Sequence, residues 1–68
     1  MDMNQLTQTE RRIAQLVTAG CLDKEIAQAI GVSCESVRQR LVVLNSKLGT
    51  TNRAMVAAWY VRQTEVRR

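Results

Sequence analysis

A chain of 68 residues has room for one domain around one small core, because chains near this size bury only about 60% of the surface their unfolded form exposes. Ten Lys and Arg against six Asp and Glu leave a formal net charge of +4, an excess that favours a polyanionic partner without demanding one. There is no His, and Cys21 and Cys34 are the only thiols, so zinc spacings, a disulfide framework and a nucleophile beside a base are all missing; the expectation is no metal, no cofactor and no enzyme.

With no Phe or Pro and a single Trp and Tyr, the core must be aliphatic, and self-association is a plausible source of further burial. No segment approaches the roughly 18 consecutive apolar residues of a membrane helix. The start Met-Asp-Met-Asn-Gln has no basic then apolar signal pattern, so a cytoplasmic protein with reduced thiols is expected.

Residues 1–5 are polar and read as a flexible N-terminus. Thr7 and Glu10 then form a capping box, in which the Thr7 hydroxyl accepts from the N–H of Glu10 and the Glu10 carboxylate accepts from the N–H of Thr7. A helix starts there, with Ile13, Leu16 and Val17 on one face. Ala19-Gly20 ends it, Gly20 supplying a left-handed conformation. Asp23 reads as the N-cap of a second helix of about two turns, lined by Ile26, Ala27 and Ile30 and closed by Gly31. Val32 plugs the turn and Ser33 caps a third helix, in which Val37, Leu41, Leu44 and Leu48 make one buried stripe. Two helices joined through a glycine turn, the second with a polar outer face, are the pattern of a helix-turn-helix DNA reader.

Advancing about 100° per residue, Gln39 and Ser46 point almost directly away from that stripe. Glu35 and Val42 lie beside them, and Arg38 and Arg40 sit on the two flanks. A major groove is wide enough to admit such a face. Thr50, Thr51 and Asn52 stop and restart the chain, and residues 54–61 are eight apolar residues in succession, more than one buried face needs. No alternating run suggests a strand and no repeat or linker divides the chain. The expectation is an all-α, four-helix domain over residues 6–64, with a basic tail at 65–68.

The blocks Leu6-Thr7 with Glu10, Gly20, Lys24-Glu25-Ile26-Ala27, Gly31-Val32-Ser33, Val37-Arg38, Lys47-Leu48-Gly49 and Asn52-Arg53-Ala54 resemble the signature of the LuxR-type (GerE-like) helix-turn-helix DNA-binding domain, over about residues 6–60. The resemblance implies that the second and third helices form the helix-turn-helix and that the fourth mediates dimerisation on two DNA half-sites. It implies a transcription regulator; with no sensing domain in this chain, a stand-alone domain of the GerE kind is expected. The family's Val-Lys/Arg pair falls on Val37 and Arg38, and its next groove-facing position on Gln39. Three positions depart from the family pattern: Val42 stands where a basic residue is common, Arg40 where His is usual, and Asp23 where Asn precedes Lys-Glu-Ile-Ala. An acid there would repel a nearby phosphate.

The chemistry of these residues fits that reading. Arg38 can offer a bidentate donor pair to guanine O6 and N7, and Gln39 can pair with adenine N6 and N7. Val42 or Val43 can touch a thymine methyl, or simply stand exposed at a helix junction. Lys24, Ser33, Ser36, Arg40 and Lys47 are candidate phosphate contacts. Glu35, near a helix start, fits the helix dipole better than cytosine N4. For the fourth helix, Met55, Val56, Trp59 and Tyr60 are the expected homodimer contact. A second expectation, from a different class, is an interaction module whose fourth helix pairs with another regulator of the same family.

Overall fold

The computed structural model describes residues 3–65. They form a single 3-10 turn, Met3–Gln5, followed by four helices: α1 (Gln8–Thr18), α2 (Asp23–Ile30), α3 (Cys34–Leu48) and α4 (Arg53–Glu65). No strand is present among the described residues, and the architecture is the all-α one expected. Met3–Gln5 is a turn, and Leu6 behind it is buried in the core. Of the expected flexible start, residues 1 and 2 lie outside the described residues, as do 66–68 of the expected basic tail; Glu65 is the last residue of α4.

The helix ends follow local chemistry. At α1 the capping box is complete: Glu10 N donates to Thr7 Oγ1 at 3.1 Å and Thr7 N to Glu10 Oε1 at 2.8 Å. Ser33 caps α3 by accepting from Ser36 N at 3.1 Å, and Asn52 Oδ1 caps α4 by accepting from Met55 N at 2.9 Å. Gly31 ends α2 at φ 77°, a left-handed conformation that a residue with a Cβ adopts only at a cost. It lets Val32 N turn back to Ala27 O at 3.0 Å, which satisfies a helix-end carbonyl and aims the chain into α3.

The start of α2 differs from the sequence expectation. Asp23 is the first residue of the helix, not its cap; the cap position belongs to Leu22, whose N–H donates to Glu25 Oε1 at 2.7 Å. The Asp23 carboxylate is drawn instead to Arg53 at the start of α4. A guanidinium 30 residues away in sequence thus outcompetes the local cap.

The core is formed by Leu6, then Ile13, Ala14 and Val17 of α1, Ile26 and Ala27 of α2, Val37, Leu41 and Leu44 of α3, and Val56 and Trp59 of α4. Leu16, Ile30, Val32 and Leu48 are partly buried at its margin. The helices pair chiefly as α1 with α4 and α2 with α3. This corrects half of the expected dimer contact: Val56 is 0% and Trp59 7% exposed, so both are interior residues of a single chain. The reason is volume. A chain without Phe has only Trp59 and Tyr60 as aromatic rings, and Trp59, the larger, is taken up in filling the core.

One charge is buried with the core. Glu10, 8% exposed, accepts from Lys47 Nζ at 2.9 Å through Oε1 and lies 2.8 Å from it through Oε2. Burial alone would raise the Glu10 pKa; the hydrogen bond from Lys47, the Thr7 N–H and the ammonium charge outweigh it, and the carboxyl sits below its ordinary value. A carboxyl depressed in the folded state stabilises fully above its unfolded pKa of about 4.3. That contribution is lost as pH falls through the folded value, because the unfolded chain binds the proton first.

Two outcomes follow for thermal melts. Between pH 6 and 3 the wild-type melting temperature should fall more steeply than that of Glu10→Gln, which should be the less stable protein at pH 6 by about 1–3 kcal/mol. Trp59→Ala should destabilise by about 3–5 kcal/mol, read as loss of the cooperative melt and not as a change of mass in an intact fold.

Candidate nucleic-acid interface

Burial of Val37, Leu41 and Leu44 turns the other side of α3 outward. Glu35, Arg38, Gln39, Arg40, Val42, Val43 and Ser46 are all exposed along it, with Val42 at 69% and Val43 at 50%. Two adjacent valines in solvent cost burial; the α3 outer face is polar at its centre, at Gln39 and Ser46, with Val42 and Val43 on either side of it and an arginine on each flank.

Around this face the side chains form two groups. Ser36, Gln39, Arg40 and Val43 line a shallow cleft of about 360 Å³ against Thr7 and Glu10 at the start of α1. Within it Arg40 Nε donates to Ser36 Oγ at 3.4 Å, holding a guanidinium beside the N-terminal turn of α3. On the opposite flank Arg38 lies between two carboxylates, with Nη1 3.6 Å from Glu35 and Nε 3.9 Å from Asp23. Glu35 therefore has a side-chain partner besides the helix dipole.

The candidate phosphate contacts divide. Arg40 and Ser36 fall together on the cleft flank. Ser33 Oγ is occupied as the α3 cap acceptor, which leaves only its hydroxyl proton for a phosphate oxygen. Lys24 is exposed in the first turn of α2, directly after Asp23. Lys47 is the exception: its ammonium is paired with Glu10, so it acts inside the domain as the tie between α3 and α1. Sequence reasoning assigned Glu10 a local cap and Lys47 a surface role, and the 37-residue separation hid their meeting.

Sequence reasoning also passed over the tie behind Arg38. Asp23 Oδ1 pairs with Arg53 Nη1, and Arg53 Nη2 donates to the Cys21 carbonyl at 2.6 Å. Arg53 thus clamps the loop before α2 onto the start of α4. Asp23 faces both this arginine and, through Oδ2, Arg38. No local pattern marks such a network, since its members come from three separate segments.

On α4 the residual surface is modest. With Val56 and Trp59 inside and Tyr60 half-buried, the outer face carries Ala54, Met55, Ala58 and Val61, of which Met55 is 42% and Val61 39% exposed.

A two-turn helix, a left-handed glycine turn and a capped second helix presenting a polar and basic face define a helix-turn-helix domain, a DNA-binding class. The family model of bacterial regulatory proteins, luxR family (GerE), matches residues 4–60. The chain belongs to this family, and is a helix-turn-helix DNA-binding domain of a transcription regulator. No individual curated protein and no solved structure matches it. Among the described residues no helix is long and apolar enough to cross a membrane, and no cluster of His, Cys, Asp and Glu has a geometry that could hold a metal.

Proposed function

We propose that the chain reads a specific double-stranded DNA sequence by laying α3 in the major groove, with Arg38 and Gln39 contacting base edges and Val42 meeting a thymine methyl. The observation that carries this reading is the exposed outer face of α3, on which these three side chains are presented while the helix is anchored by its buried stripe. Ser36 and Arg40 on one flank, with Lys24 and the Ser33 hydroxyl near the helix starts, are the proposed phosphate contacts. Lys47 is left out of that set because its charge is already paired. The protein acts in the cytoplasm, where its DNA is.

Reading two half-sites requires two copies, and we assign the contact to the outer side of α4. Met55 stays in the proposed patch and Tyr60 borders it; Val61, Ala54 and Ala58 replace Val56 and Trp59. An isologous pairing would cover the same apolar strip on both copies. The same strip supports the second reading, in which α4 pairs with another regulator of the family.

A titration on mixed-sequence duplex separates the two readings. A DNA reader should show log affinity falling linearly with log salt, with a slope near −0.9 per phosphate contacted, and absence of binding at low salt would leave only the interaction module. After selection of the preferred duplex from a random pool, Arg38→Ala should weaken the selected duplex by about 1–3 kcal/mol and mixed duplex by less; equal losses would make Arg38 a phosphate contact. For assembly, Met55→Glu combined with Val61→Glu should move sedimentation toward monomer while the melting temperature stays close to wild type. An unchanged mass distribution would place the dimer contact elsewhere or remove it.

A further inference from the structure

The reading arginine of α3 is not presented alone: Arg38 lies between the carboxylates of Asp23, on α2, and Glu35, one turn earlier on α3. Their distances of 3.9 and 3.6 Å are those of ion pairs and exceed hydrogen-bond lengths. The acids therefore bias where the guanidinium sits without using up the N–H pair that a guanine edge requires. Asp23 is itself fixed, since its other oxygen is paired with Arg53, which is anchored on the Cys21 carbonyl. The Asp23 side chain is 29% exposed and Arg38 67% exposed, so the held acid lies beside an exposed cation at the edge of the reading face.

From this arrangement we infer that Asp23 is a selectivity residue: it positions Arg38 for a base edge and disfavours the alternative in which Arg38 binds a DNA phosphate. A phosphate drawn to Arg38 approaches a held carboxylate about 4 Å away and is repelled. A guanine edge is neutral and offers acceptors that the guanidinium reaches without displacing the acid. The consequence is weaker binding to arbitrary DNA, where phosphate contacts supply nearly all the affinity. The discrimination gained this way comes from penalising the wrong complex and adds no contact to the right one. Asp23 acts through Arg38 and touches no base itself. The inference rests on the reading of Arg38 as a base contact.

The test compares the duplex selected from a random pool with a mixed-sequence duplex, both titrated with salt, using the full chain. Asp23→Asn keeps an oxygen for Arg53 and removes the charge. Mixed duplex should bind on the order of fivefold tighter at low salt, the effect of one unit charge at about 4 Å in water. Its salt slope should steepen by up to about 0.9 as Arg38 takes a phosphate, while the selected duplex changes little. In an Arg38→Ala background the same substitution should leave the ratio of the two affinities unchanged. Glu35→Gln, at an exposed site outside the core, should shift the ratio in the same direction and decides the matter if Asp23→Asn fails to fold. Equal changes on both duplexes with no change of slope would overturn the inference, provided Arg38→Ala alone still lowers selectivity. If Arg38→Ala weakens both duplexes equally, the base-contact reading fails and takes this inference with it.

Discussion

A helix that buries Val37, Leu41 and Leu44 has no freedom left in where it points Gln39. The stripe is continuous over two turns, and rotating α3 far enough to hide Val42 or Gln39 would bring Leu44 or Val37 into water. Each large aliphatic side chain exposed would cost on the order of 1.5–3 kcal/mol, a large share of the marginal stability of a small domain. The presentation of the α3 outer face is thus a consequence of core packing. The exposed valines persist because hiding them would cost the stripe.

Packing fixes the rotation of α3; charge fixes where its neighbours meet it. Two ties of similar design join segments distant in the chain. Glu10 and Lys47 join the N-terminus of α1 to the C-terminal half of α3, and Asp23 and Arg53 join the start of α2 to the start of α4. In both, an acid in the first turn of a helix, where the dipole already favours it, takes a cation from another helix. The first is the more buried and is supported by hydrogen bonds from both Lys47 and Thr7, which is why its carboxyl stays ionised despite desolvation. The second reaches the surface and so shapes the field around Arg38.

The division of α3 into two flanks follows. One flank, with Ser36 and Arg40, opens on the cleft against α1 and suits phosphate. The other, with Arg38, is bordered by acids and suits a neutral acceptor. On the proposed reading, attraction to the backbone on one flank is combined with a penalty on indiscriminate contact on the other, which matters for a protein whose net charge of +4 would otherwise favour any duplex.

Much of this was legible in the sequence because it is local. The capping box at Thr7 and Glu10, the glycine stop at Gly31, the Ser33 cap and the i, i+4, i+7 stripe are decided within a few residues, and they place the first three helices and the outer face of α3 without tertiary information. What the sequence could not decide were the competitions between local and distant partners. Asp23 had a local role as a cap and a distant one with Arg53, and the distant one prevails. Lys47 looked like a surface cation and is claimed by Glu10. Eight successive apolar residues in α4 declared a surplus but not its inner and outer sides; only packing against α1 consigned Val56 and Trp59 to the core and left Met55 and Val61 outside. The sequence by itself determined the helices and the face they present, because hydrogen bonds and helical periodicity act over a few residues. Which charges pair and which apolar residues remain in water was decided by the tertiary structure alone, because those energies depend on neighbours that the chain supplies from thirty or more residues away.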